Sequence, residues 1–277
     1  MIVGLDLAVR EPFDADHLLA FLAARAVPGI EALDGTSFHR ALDLPHGHGV
    51  AVLTPTPGGV RADLQLVDER DLDEAVRRIR RLLDLDSDPV AIDAALADDA
   101  VLGPLVRRLP GLRVPGSVDP FETAIRAVVG QQISVAGART VTGRIVVAAG
   151  TPLTIDGGPV THVFPSPDAL AAVDPASLPM PRSRGRTIVE LASRVARGEL
   201  ALHADRSSVA AALLEVPGIG PWTVGYVLMR GLGDPDVFLP TDLGVRAGLT
   251  AVGASTDDAR RWRPWRSYAV HHLWSVA

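Results

Sequence analysis

One carboxylate, Asp242, stands directly behind Leu239-Pro240-Thr241, and it follows the glycine hairpin Pro217-Gly218-Ile219-Gly220 by 22 residues. The two features suit a common chemistry. Glycines let a loop backbone come close to another backbone, and the Gly218 and Gly220 amides, just ahead of a helix, can bind a phosphate oxygen. Such contacts position a protein on nucleic acid and carry no sequence information. A carboxylate nearby can then steady a cationic centre or activate water in the bound strand. The pairing points to an enzyme acting on DNA. Each half also has a plainer reading: a P-G-x-G run serves as a tight interhelical turn, and an Asp after Pro-Thr is a good helix N-cap.

Two helices must hold the hairpin. Ser207 and Ser208 can cap a short first helix with Val209, Leu213 and Leu214 as apolar positions. Pro217 and Gly218 stop it, and Pro221 suits the first position of a second helix carrying Trp222, Val224, Tyr226, Val227 and Met229. Farther out, residues 1–93 read as an α/β unit. Strands are expected at Ile2–Leu7, Val50–Thr54 and Val60–Val67, the last two forming a hairpin around Pro55–Gly59. Helices are expected over about Asp14–Val27 and along Leu72, Ala75, Val76, Ile79, Leu82 and Leu83. From Pro89 onward the pattern is mostly helical, broken by Pro110-Gly111, Pro115-Gly116, the Pro152–Pro167 loop and Pro179-Met180-Pro181. Nothing in the first third carries chemistry, so its expected role is structural.

These residues resemble the helix-hairpin-helix-Gly/Pro-Asp superfamily of DNA glycosylases, in its bacterial 3-methyladenine DNA glycosylase II (AlkA-like) branch. The resemblance rests on Phe21-Leu22-Ala23-Ala24-Arg25-Ala26-Val27, Leu112-Arg113-Val114-Pro115-Gly116, Gly130-Gln131-Gln132-Ile133-Ser134-Val135-Ala136, Asp236-Val237-Phe238-Leu239-Pro240 and Trp262–Ala269, in the family's order along nearly the whole chain. It implies an α+β fold: a TATA-binding-protein-like antiparallel sheet domain at 1–93, a helical domain with the hairpin at 118–234, and a second helical domain made from 94–117 and 235–277. The active cleft would lie between the two helical domains, with Asp242 on its wall.

Composition narrows the chemistry. The chain has 277 residues and is 47% hydrophobic, enough for several packed subdomains. No apolar run approaches a membrane span and no secretory signal is visible, so a cytoplasmic setting is expected. With no cysteine there is no disulfide and no cysteine-bound zinc or iron–sulfur cluster, unlike the cluster-bearing glycosylase branches. The net charge of −6 is unevenly spread: residues 1–101 carry −10, residues 102–200 carry +4, and residues 201–277 balance. Local charge decides phosphate binding, and Arg126, Arg139, Arg144, Arg182, Arg184 and Arg186 are the candidates, each alternatively an ordinary solvated helix residue. All 27 basic residues are Arg. Glycosylases with lyase activity use a lysine amine to form a Schiff base with the sugar. The family's lysine position, early in the second hairpin helix, is Trp222 here, so a monofunctional enzyme that leaves an abasic site is expected.

Chemistry on a base requires taking it out of the stack and holding it against a stacking surface. All four Trp and both Tyr lie between Trp222 and Trp274. An alkylated purine is cationic, and electron-rich rings attract it more than a normal base. Trp222, Tyr226 and Trp274 are the pocket candidates, matched by the family, while core packing is favoured for Trp262, Trp265 and Tyr268. Cleavage of the glycosidic bond builds oxocarbenium character at C1′. An anion about 3.5 Å away, in an effective dielectric of about 20, gains about 5 kcal/mol against it, and Asp242 is the residue for that task.

The resemblance also implies DNA contacts at Gln131, Gln132, Gly218, Gly220 and Thr223, and a structural monovalent or divalent cation on the carbonyls of Leu214, Val216 and Ile219. No cofactor is needed for catalysis. Two departures stand out. Gln132, a polar side chain, occupies the position where relatives place a bulky aliphatic residue in the duplex gap; Gln131 and Gln132 could otherwise be interhelical polar contacts. Thr241 replaces a second carboxylate found in some relatives. His271 and His272 are read as structural or rim residues. The expected partner is double-stranded DNA containing alkylated bases, met by a monomer. Excision of deaminated purines, non-catalytic binding of damaged DNA, and a module of a larger repair fusion remain as alternatives.

Overall fold

The computed structural model describes all 277 residues. Period-two alternation builds its first layer, a five-stranded antiparallel sheet of β1 (Ile2–Ala8), β2 (Glu31–Asp34), β3 (Ser37–Leu44), β4 (Gly47–Thr56) and β5 (Gly59–Leu66), in the order β1-β5-β4-β3-β2. Helix α1 (Ala15–Arg25), capped by the Asp14 carboxylate on the His17 amide, and α2 (Leu72–Leu82) cover it. Phe38, Leu42, Leu53, Ala62, Leu64 and Leu66 pack against Leu18, Leu22, Ala75 and Ile79 in one core. Strands β2 and β3 occupy a stretch where no strand was expected. Arg40 interrupts the core-facing alternation of β3, and that residue proves to matter for the site.

The helical part follows as α3 (Pro89–Ala97), α4 (Gly103–Arg108), α5 (Pro120–Val129), α6 (Val135–Ala149), the short pair β6 (Thr151–Pro152) and β7 (His162–Val163), then α7 (Pro167–Ala171), α8 (Arg182–Ala196), α9 (Arg206–Leu214), α10 (Pro221–Tyr226), α11 (Leu243–Ala251) and α12 (Arg266–Trp274). Helix α5 is buried almost all round and forms the axis of a core with α6, α8, α9 and α10. A separate core joins Ile92, Leu96, Leu105 and Val106 to Val245, Leu249, Trp262 and Leu273. A boundary at 93/94 therefore cuts through α3, whose Ile92 and Leu96 both face this last core.

One capping expectation is corrected. The cap of α9 is Asp205, which accepts from the Ser208 amide at 3.0 Å, while the Ser207 and Ser208 hydroxyls donate to the same carboxylate. A carboxylate can take all three donors, which neither hydroxyl could do. Beyond Tyr226 the second hairpin helix widens into a π-helical turn, Val227–Gly231. Such turns are uncommon and gather at functional sites; this one carries Arg230 under the aromatic wall described next.

Candidate active site

Asp242 caps α11: its Oδ1 accepts from the Val245 amide at 2.9 Å. The N-cap reading and the chemical reading hold together, because the cap uses only part of the carboxylate's capacity. The Trp222 indole Nε1 donates to Oδ2 at 2.9 Å, and the Trp274 Nε1 donates to Oδ1 at 2.9 Å. Two tryptophans from different elements thus grip one carboxylate. Gly244 makes this reach feasible, since a Cβ there would lie 2.8 Å from Cδ1 of Trp274. No carboxylate other than Asp242 belongs to this cluster; Asp236 is paired with Arg266.

Around Asp242 lies a cleft of about 1350 Å³, whose lining includes the pocket candidates Trp222, Tyr226 and Trp274 and, from the hairpin and the end of α5, Gln131, Gln132, Gly218, Gly220 and Thr223, while Arg144, Arg182, Arg184 and Arg186 lie outside it. Trp222 and Tyr226 stack at 5.4 Å with an interplanar angle of 23°. Trp274 stacks on Phe21 at 6.1 Å, and His271, buried, meets its edge at 4.7 Å. Burial holds His271 neutral, well below the usual histidine range. Burial pushes the Tyr226 phenol up, but the guanidiniums of Arg230, Arg25 and Arg126 outweigh it and leave the group below its ordinary value. Trp262 and Tyr268 are buried in the core, as core packing requires, and Tyr268 donates to Asp84 at 2.9 Å.

The hairpin divides its roles. Gly218 has φ +91°, and a Cβ there would lie 2.3 Å from Oγ1 of Thr187, which donates to the Pro217 carbonyl at 2.8 Å. Nothing lies within 4 Å of a Cβ built on Gly220, so the fold itself makes no demand for glycine there. Neither glycine amide donates to a backbone acceptor. Gln131 ties this loop to the end of α5, its Nε2 donating at 3.0 Å to both the Gly218 carbonyl and the Thr223 hydroxyl. Thr223 is buried, so its side chain serves that tie and is turned away from solvent. Gln132 is exposed at the loop tip with φ +57°, a conformation rare for a side-chain-bearing residue and frequent at functional sites. Leu214, Val216 and Ile219 sit outside the cleft lining; the Val216 carbonyl already accepts from the Ile219 amide at 3.0 Å.

The N-terminal domain does more than the expected structural task. Its α1 brings Phe21 beside Trp274, and Arg25, Glu31 and Arg40 line the cleft. Arg40 pairs with Glu31 and Glu122, and Arg126 pairs with Glu31 at 3.0 Å and Glu122 at 2.9 Å, forming a buried four-membered ion network between the sheet and α5. Burial alone would lower the Arg126 pKa, but Glu31 and Glu122 raise it above the usual guanidinium range. Arg126 is therefore not a phosphate contact: its charge is satisfied inside the protein. Arg139 is turned inward as well, its Nε donating to the Ala26 carbonyl at 2.8 Å. Arg144, Arg182 and Arg186 remain exposed, and Arg184 is half-buried. Nothing local in the chain marks this network, because its partners lie up to 95 residues apart.

Comparison with known proteins fits this arrangement. The AlkA N-terminal domain family matches residues 4–119. The DNA-3-methyladenine glycosylase 2 of Escherichia coli is 36% identical over 277 residues, taking in 96% of this chain and 94% of that protein. The chain belongs to the AlkA family of DNA-3-methyladenine glycosylases. A probable bifunctional transcriptional activator/DNA repair enzyme AlkA of Mycobacterium tuberculosis is 47% identical over 282 residues, covering 99% of this chain and 57% of that protein. The chain thus spans little more than half the length of that AlkA relative. A solved 3-methyladenine DNA-glycosylase from Archaeoglobus fulgidus has the same fold, with a TM-score of 0.83 over 99% of this chain and 97% of that one at 22% identity. The α+β architecture expected for an AlkA-family chain, an antiparallel sheet followed by helices, is the one observed. No helix is long and apolar enough to cross a membrane.

Proposed function

We propose that the chain is a monofunctional DNA glycosylase that excises alkylated purines of the 3-methyladenine and 7-methylguanine type from duplex DNA. The observation that carries this reading is the Asp242 carboxylate, held between the Trp222 and Trp274 indoles at an aromatic-walled cleft. The hairpin amides of Gly218 and Gly220, both without backbone partners, would hold a strand by its phosphates. The base swings out between the aromatic faces, while exposed Gln132 fills the vacated gap and offers its amide to the orphan partner. As the glycosidic bond lengthens, positive charge grows at C1′ opposite Asp242. Indole N–H groups donated to both oxygens keep the carboxylate in place, so no reorganisation is needed when that charge appears. Water completes the displacement.

An alkylated purine departs as a neutral base, so the mechanism calls for no strong general acid. The lyase step has no side-chain amine to use, because the chain contains no lysine and the hairpin position is the indole Trp222. A structural cation on the carbonyls of Leu214, Val216 and Ile219 belongs to the same proposal. Those neutral oxygens would suit a hard monovalent or divalent ion, which would add positive charge on the hairpin's phosphate-binding side, and the chain groups no three His, Cys, Asp or Glu side chains for another kind of site. The protein is proposed to act as a monomer.

The test is mass spectrometry of bases released from methylated and from deaminated duplex DNA, with Asp242→Asn as the control. Release of 3-methyladenine by the parent chain and not by the variant is expected. Binding of methylated DNA with no released base would instead identify a damage-binding protein. Borohydride trapping of a protein–DNA adduct would contradict the monofunctional mechanism.

A further inference from the structure

The protein carries a net charge of −6, yet no Asp or Glu occurs in residues 123–155, 216–233 or 243–256. Those stretches supply α6 with its leading turn, the hairpin with α10, and α11. A face kept clear of acid in an acidic protein suits a polyanion. The hairpin and the turn before α6 already have DNA contacts in the account above, and α11 has none. Its outward face is well defined. Leu243, Arg246, Ala247 and Thr250 are exposed at i, i+3, i+4 and i+7, while Val245, Gly248 and Leu249 are buried. The helix holds no acid for Arg246 to meet, and none of the protein's ion pairs includes that guanidinium. Leu243 is 80% exposed, more than any other large apolar side chain, and it lines the cleft without joining any of the three cores. Its backbone is as fixed as that of Asp242: the Val245 amide donates to Oδ1 and the Arg246 amide to the Asp242 carbonyl, both at 2.9 Å.

We propose that the exposed face of α11 is a second grip on the duplex, in which Leu243 wedges between base pairs beside the extruded nucleotide and Arg246 meets a backbone phosphate next to it. This rests on the glycosylase reading above and adds to it. Gln132 is a poor wedge by itself. Driven into a base stack, its amide sheds water and regains hydrogen bonds only where a base edge offers them. Ile133 beside it leans back on α6, its Cδ1 3.8 Å from a Cβ built on Gly137, and Val135 is a shorter side chain. Leu243 is the apolar group free to enter. An apolar wedge unstacks one base step and kinks the duplex, and the extra contacts that the bend permits offset the cost. The two residues then divide the work. Leu243 takes stacking space beside the departing nucleotide, and Gln132 meets the orphan base. Arg246, one turn along the same helix face, anchors the strand and so sets how deep Leu243 goes.

The experiment titrates the parent chain, L243A, L243M, Q132A, R246M and R246K into duplexes that hold one tetrahydrofuran abasic analogue, which has no base to release. 2-Aminopurine stands on the 5′ or the 3′ side of the analogue and brightens when it is unstacked. Circular dichroism checks that each variant folds; Leu243 and Arg246 are exposed, so neither change removes core packing. The parent is expected to raise the emission on at least one flank. L243A should remove more than half of the rise on one flank, L243M should restore most of it, and Q132A should keep it there. A rise on both flanks that L243A leaves intact, or that Q132A abolishes in its place, would overturn the wedge. R246M should lessen the slope of log affinity against log salt by about 0.9, the share of one phosphate contact, and R246K should keep the parent slope. An unchanged slope in R246M would overturn the phosphate contact. No turnover enters these readouts. A parent that unstacks the duplex in this way but releases no 3-methyladenine from methylated DNA would defeat the glycosylase reading and leave the α11 grip standing.

Discussion

Trp222→Phe isolates what the indole N–H does for Asp242. The ring that stacks on Tyr226 at 5.4 Å is largely kept, and the 2.9 Å hydrogen bond to Oδ2 is lost. A hydrogen bond to a charged group is worth about 1.5–3 kcal/mol. The carboxylate keeps its two Oδ1 donors, the Val245 amide and the Trp274 indole, so the lower half of that range applies, about 1.5–2 kcal/mol. If the bond serves to aim the carboxylate at C1′, the loss falls on the chemical step as about a 10- to 30-fold slower single-turnover release of 3-methyladenine, with DNA affinity little changed. Trp274→Phe should give a similar loss. The double variant should fall short of the product of the two, because both indoles hold one group. The assay is quench-flow release from a methylated duplex at saturating protein. A rate within twofold of the parent, or a faster one, would refute the reasoning: the indoles would then be packing groups, and a carboxylate freed from them would be at least as effective.

Other consequences follow from the geometry. Gly218→Ala places a Cβ against Thr187 at φ +91° and should cost about 1–3 kcal/mol of stability, whereas Gly220→Ala meets open space and should leave urea midpoints within about 0.5 kcal/mol of the parent while weakening DNA binding. Arg126→Met leaves Glu31 and Glu122 sharing Arg40 alone, so equilibrium unfolding should show a loss of about 3–5 kcal/mol. Acid should destabilise the fold through buried His271, held well below the usual range, and His272, at about 4, since both stay neutral in the native state and take up protons on unfolding as pH falls below about 6.5. Asp84, raised to about 6 by burial, works the other way: the native state holds a proton that the unfolded chain releases, so its contribution grows as pH falls from about 6 to about 4. Asp84→Asn should therefore steepen the acid loss by about 1 kcal/mol per pH unit between about pH 4.5 and 6, measured by urea titration.

The parts of the site that lie close in sequence were the legible ones. The hairpin glycines, Pro221 and the Asp242 cap have meanings fixed by local backbone rules, and the clustering of Trp and Tyr after residue 221 marked one wall. What the sequence hid is long-range. Arg25 and Phe21 sit more than 200 residues before Asp242, on a helix whose periodicity shows only a core face. Arg40 read as an exception within a strand, and its acidic partners could not be chosen from the 33 available. For the same reason Arg126 resembled a phosphate contact: a basic residue on a helix looks alike whether it meets solvent or a buried carboxylate. The two serines Ser207 and Ser208 drew the cap of α9 onto themselves, whereas Asp205, two and three residues upstream, takes their hydroxyls and the Ser208 amide together. The π-helical turn that places Arg230 has no sequence mark of its own.

The central claim is that the Asp242 carboxylate performs the excision. Asp242→Asn keeps the size of the group and a good N-cap for α11, while removing its charge and turning one acceptor into an amide that faces an indole N–H. Single-turnover release of 3-methyladenine, measured beside binding to the same methylated duplex, tests this most directly. The account predicts a loss of about three to four powers of ten in rate, from the roughly 5 kcal/mol of charge stabilisation at C1′, with duplex affinity within a few-fold of the parent. Release within tenfold of the parent, at unchanged affinity, would contradict it.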